Sequence, residues 1–130
     1  MAKLTAKQAN ELANNFLALA QSIGDYRYTN YDNLSKIQNQ NLRESHRRIL
    51  DYSDHLFTLS ATLVLEDVQT SLTSIGAVTS EIKATYKTLQ NVQKAINVAA
   101  SVVTLGASIL SKNPQAIADS IGGLVDTWNA

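Results

Sequence analysis

The sequence predicts an all-α fold: an antiparallel bundle of about four helices around a long central helical hairpin. Three observations carry this. Apolar residues recur at spacings of three and four along most of the chain. One proline and five glycines leave few breaks. No stretch carries the alternating pattern of a strand.

The first helix is expected over residues 5–22. Ala9, Leu12, Phe16, Leu19 and Ile23 fall on one stripe. Thr5 and Gln8 have capping-box spacing, and Gly24 suits a stop. Residues 24–33 read GDYRYTNYDN, a connection rich in turn formers. A second helix is expected over 34–74, opened by Ser35 and Gln38 at capping-box spacing. Its stripe is Leu34, Ile37, Leu42, Ile49, Leu56, Leu59 and Leu63, continuing through Val68, Leu72 and Ile75. A third helix is expected over 78–111, along Ile82, Tyr86, Leu89, Ile96 and Val103, whose spacings sum to sevens. An unbroken rod over 35–110 would be about 114 Å long. The expected break is therefore the Ser- and Thr-rich stretch 70–76, which ends in Gly76. The alternative is a rod that assembles with copies of itself as a coiled coil. Asn113 and Pro114 suit the cap and first position of a fourth helix over 114–128, striped by Ile117, Ile121, Leu124, Val125 and Trp128.

A chain of 130 residues with 45% hydrophobic content is read as one helical domain, 1–130. Eleven basic and eleven acidic residues balance, so no nucleic-acid partner is expected. The absence of cysteine removes disulfides, thiolate zinc sites, iron–sulfur clusters and cysteine nucleophiles. Residues 1–21 mix charged and amide side chains into the apolar positions, unlike a secretory signal. The expected location is cytoplasmic. The sequon Asn33-Leu34-Ser35 then has no use.

One dense ionisable cluster stands out, RESHRRILDYSDH over residues 43–55. Asp51 and His55 lie four apart on one helical face, and with Glu44 and His46 they are the candidates for metal binding or acid–base chemistry. Paired Glu-x-x-His motifs are missing: Arg43 precedes His46 by three, and Tyr52 precedes His55 by three. Arg43, Arg47 and Arg48 also repel a cation. The cluster therefore reads as a solvated face with Glu44–Arg48 and Arg47–Asp51 pairs. The three arginines are candidate anchors for a protein partner, together with Tyr26, Tyr28 and Tyr31. Those tyrosines offer faces for bases or sugars, but only Arg27 accompanies them. They are expected to cover the end of the bundle with hydroxyls in water. Nucleophile-elbow, P-loop and dinucleotide motifs are absent from the sequence. No cofactor is expected.

From Ala95 to Ser111 no residue is charged, and from Ala95 to Ala130 the charges are Lys112, Asp119 and Asp126. Ala95, Ala99, Ala100, Thr104, Ala107, Ser108 and Ser111 place small residues at spacings that let helices approach closely. Sixteen residues from Ala95 to Leu110 span about 24 Å, short of the roughly 30 Å of a bilayer core. A helix buried on all sides fits that length better. The candidate assembly or membrane residues are Ile96, Val98, Val102, Val103, Leu105, Ile109, Leu110 and Trp128. In outline, this apolar helix, tight turn and amphipathic helix resemble the hydrophobic hairpin of α-helical pore-forming toxins. That resemblance implies a segment, 95–128, able to enter lipid.

The expected function is a non-enzymatic interaction or structural protein, self-associating through its apolar stripes as a homo-oligomer. The alternative is a membrane-interacting or pore-forming protein using the 95–128 hairpin. The second alternative is a small metal-dependent or acid–base enzyme at the Glu44–His55 cluster.

Overall fold

The computed structural model describes residues 2–58, 64–65 and 67–130. The protein is all-α apart from one two-residue β pairing. Among the described residues there are five helices: α1 (Ala6–Thr29), α2 (Lys36–Thr58), α3 (Val68–Thr85), α4 (Val92–Ser111) and α5 (Pro114–Asn129).

Three expected helix starts form as the side chains require. Thr5 accepts from the Gln8 N–H while Gln8 accepts from the Thr5 N–H. Ser35 and Gln38 repeat that reciprocal pair. Asn113 accepts from the Ala116 N–H at 3.1 Å, with Pro114 at the first position of α5. Before it, Lys112 sits in the left-handed region at φ 61°, closing α4.

Other boundaries differ from the sequence reading. α1 runs past Gly24 to Thr29, because Ile23 and Tyr26 continue its buried stripe. The helix expected over 34–74 is two helices. α2 ends at Thr58; Val64–Leu65 is extended and pairs antiparallel with Ala2–Lys3. Leu59, Leu63 and Glu66 lie outside the described residues. Asp67 caps α3 by accepting from the Thr70 N–H at 3.0 Å. The backbone hydrogen bonds hold the Asp67 carboxyl below its ordinary range. The expected break at 70–76 lies inside α3, where burial of Leu72 and Ile75 outweighs the turn preference of serine and threonine. The helix expected over 78–111 is broken instead at 86–91. Tyr86–Thr88 form a single tight turn, and Asn91 caps α4 through the Lys94 N–H. Residues 36–111 thus contribute three separate helices, α2, α3 and α4, and not one continuous rod. Ile37, expected on the buried stripe, is 70% exposed. It lies five residues before buried Leu42, about 140° away around the helix.

Each helix packs against two others, in the cyclic order α1, α2, α4, α5, α3. Contacts fix the sense of each pair. Ser53 Oγ donates to the Ala13 carbonyl and Arg27 Nε to Asn39 Oδ1, so α1 and α2 run antiparallel. Hydroxyl contacts Ser101–Thr127 and Ser108–Ser120 make α4 and α5 antiparallel as well. Residues 2–3 meet 64–65, and Tyr26 meets Tyr86, so α1 and α3 run parallel. Asn41 and Ser45 lie beside Ile96 and Ala100, while Tyr52 lies against Gly106, so α2 and α4 are parallel too.

The core is one cluster that takes in Phe16, Leu19 and Ile23 of α1, Leu42, Ile49 and Leu56 of α2 and the inner face of α4. Two close contacts set its shape. The Tyr52 ring occupies the space a side chain at Gly106 would take. Tyr26 and Tyr86 pack tilted with centroids 5.1 Å apart. Burial pushes both hydroxyls above the ordinary tyrosine range, Tyr86 the further. Tyr86 donates to the Ala95 carbonyl at 2.6 Å, whereas the Tyr26 hydroxyl has no partner among the described residues.

Two contrasts test this packing in thermal or urea unfolding. Tyr86→Phe is expected to cost about 1 kcal/mol through the lost buried hydrogen bond, whereas Tyr26→Phe is neutral or stabilising because it removes an unpaired hydroxyl. Gly106→Ala should destabilise by about 1–3 kcal/mol through overlap with Tyr52, despite the helix propensity of alanine. Gly122→Ala, on an exposed face with none of the described residues within 4 Å of the added carbon, should stabilise by up to about 1 kcal/mol.

Candidate interaction surface

The ionisable cluster sits on α2. Lys36, Arg43, Glu44, Arg47, Arg48, Asp51, Asp54 and His55 are all exposed, and helical geometry gathers them on one outward face. The ion pair formed is Arg47 with Glu44 at 3.8 Å, three residues apart, rather than the expected pairs four apart. Both side chains are more than half exposed, so the pair adds little stability. His46 does not join this face. It points the other way, half-buried against α1, where a side-chain carbon at Gly24 would lie 3.0 Å from its Nε2. The structure thus separates His46 from Asp51 and His55. Among the described residues no three His, Asp or Glu groups are placed to hold one metal ion.

The three tyrosines are separated as well. Tyr26 is fully buried, which corrects its reading as a partner-binding residue. Tyr28 and Tyr31 are 87% and 56% exposed at the α1–α2 turn, near exposed Ile37 in sequence. The Tyr26 signal was present: Leu19, Ile23 and Tyr26 continue the stripe at spacings of four and three.

α4 divides its candidate residues between two environments. Val98, Val102, Leu105 and Ile109 are sealed in the core with Ala95, Ala99 and Gly106. Ile96, Val103 and Leu110 are half-buried at the edge of the exposed face. That face comprises Gln93, Asn97, Ala100, Thr104, Ala107 and Ser111, without one ionisable group. Lys94 is held to the α5 side, its Nζ 5.3 Å from the centroid of half-buried Trp128 and 3.1 Å from the Ala130 backbone oxygen. This is a cation–π contact that also removes the charge from the outer face.

Small side chains make the α4 ridge low, and grooves run along both its flanks. One, of about 530 Å³, lies toward α2 between Asn41, Glu44, Ser45 and Arg48 and the α4 residues Ile96, Ala100, Val103 and Thr104. The other, of about 300 Å³, lies toward α5, against Asp119, Ser120 and Gly123. Ala100 and Thr104 line both, so the two grooves meet over α4. The surface spans three helices. It is uncharged along its middle, with small side chains from Ala100 to Ala107, and charged along its α2 rim. α4 is also the one described helix long and apolar enough to cross a membrane, with a mean hydropathy of 1.4.

His46 gives the α1–α2 contact a pH dependence. Desolvation, with nearby Arg27 against a weaker contribution from Asp25, lowers its pKa from 6.5. The unfolded chain therefore takes up the proton first as pH falls. Stability should be full above about pH 6.5 and decline below it. Urea midpoints across that window should fall in the native protein and fall less in His46→Gln.

No protein family, curated protein or solved structure matches this chain.

Proposed function

We propose that the chain is a non-enzymatic, cytoplasmic interaction protein, a helical bundle that associates with copies of itself. The observation that carries this reading is the outer face of α4. A helix in the second half of its chain turns six uncharged residues outward, Gln93 to Ser111, with Ile96, Val103 and Leu110 beside them. A helix whose sole neighbour on that side is water normally carries charge there. An uncharged, low-relief face at this position suits a protein partner. The scatter of the ionisable groups supports a binding role over catalysis. Asp51 and His55 are both exposed on the outer face of α2, apart from half-buried His46.

Release of the α4–α5 hairpin into lipid is the second reading, favoured by the hydropathy of α4. Against it, seven α4 residues and three α5 residues are buried in the core, and opening would expose them all. Sedimentation velocity over a wide concentration range, paired with flotation on anionic vesicles, separates the two. The expected result is a concentration-dependent dimer that does not float. A monomer at every concentration overturns self-association. A protein that floats moves the hairpin reading to the front.

A further inference from the structure

The exposed Tyr28–Tyr31–Ile37 tip, the half-buried His46 and the α2–α4–α5 face are the three features with unspent chemistry. The last is the one whose occupant the structure specifies. Resting on the self-association reading, we infer that two copies pair through this face about a two-fold axis perpendicular to α4, with α2 against α2 and α4 against α4, each antiparallel.

The argument is charge complementarity. Along the rim of the α2–α4 groove and just beyond it, α2 presents Glu44, Arg48, Asp51 and His55, all exposed. Read backwards, the order is His55, Asp51, Arg48, Glu44. An antiparallel copy centred between Arg48 and Asp51 sets Arg48 of one chain opposite Asp51 of the other, and Glu44 opposite His55. The two-fold makes each contact twice. The wider charge distribution has the same sense: α2 carries Lys36, Arg43 and Arg47 toward its start and Asp51 and Asp54 toward its end. A parallel copy would set like charge against like.

The same axis has consequences on α4. Because α2 and α4 are parallel, the centre falls near Thr104, and Ala100 of one copy comes beside Ala107 of the other. Those exposed alanines permit a close helix approach. Half-buried Ile96, Val103 and Leu110 then lose their remaining contact with water. The face is wide enough. Twenty residues of α4 at about 1.5 Å each, across three helices about 9 Å apart, give a projected area of roughly 500–600 Å². Accessible area on a corrugated face exceeds its projection, so this approaches the roughly 800 Å² per partner of a stable specific interface.

The test is sedimentation equilibrium of the full chain and three variants, each checked for native helix content by circular dichroism. Arg48→Asp should raise the dimer dissociation constant by more than about tenfold, because it sets two carboxylates together across the interface. Arg48→Asp combined with Asp51→Arg should restore it to within a few fold. Ala107→Arg, at an exposed site that does not touch the core, should abolish the dimer. A native chain that dimerises while Arg48→Asp and Ala107→Arg leave the constant unchanged overturns this geometry alone. So does a combined variant that is not restored. A native chain that never dimerises overturns the self-association reading with it.

Discussion

Burial of one side of α4 is the constraint on which the other helices depend. Ala95, Val98, Ala99, Val102, Leu105, Gly106 and Ile109 are removed from water together, and no charged group interrupts them. α2 reaches this face closely because residue 106 has no side chain and the Tyr52 ring takes its place. α5 closes the other flank through the Ser101–Thr127 and Ser108–Ser120 hydroxyl pairs. α1 and α3 then complete the circuit from the far side, joined by the Tyr26–Tyr86 contact. On the buried side of α4, Ala95, Ala99 and Gly106 are small, so its packing rests on close backbone approach as well as on buried area.

Helix starts were the most legible part of the chain. Thr5, Ser35 and Asn113 each carry a side chain whose geometry leaves little choice, and all three cap as their spacing implies. Helix ends were less legible, because apolar periodicity persists across them. Val68 follows Asp67 with no interruption in hydrophobic phase, so the cap at Asp67 is hidden inside a continuous pattern. The sevens linking Ile82, Leu89 and Ile96 likewise span the turn at Tyr86–Thr88. They reflect two helices that each face the same core, not one helix that runs through. Gly24 misled in the opposite direction. It reads as a terminator, yet its lack of a side chain admits His46.

The surface was legible in composition and not in arrangement. The charge-free stretch after Lys94 is plain in the sequence, but periodicity alone does not say which residues the neighbours cover. The structure splits that stretch into a sealed side and an open side, and places the α2 charges along one rim of the open side. His46 and His55 look like members of one cluster, separated by only nine positions. That spacing is two and a half helical turns, which sends them to opposite faces.

The cyclic order of neighbours also bears on how the protein is made. During synthesis the chain emerges from its start, and α1 can fold back on α2 as soon as both are out. The helix that links α2 to α5 is the fourth in line. Until α4 has left the ribosome, Phe16, Leu42, Ile49 and Leu56 belong to a hairpin with one open side. The nascent chain is therefore most exposed to chaperones and proteases between the emergence of α2 and that of α4, and least so once α5 has closed over α4.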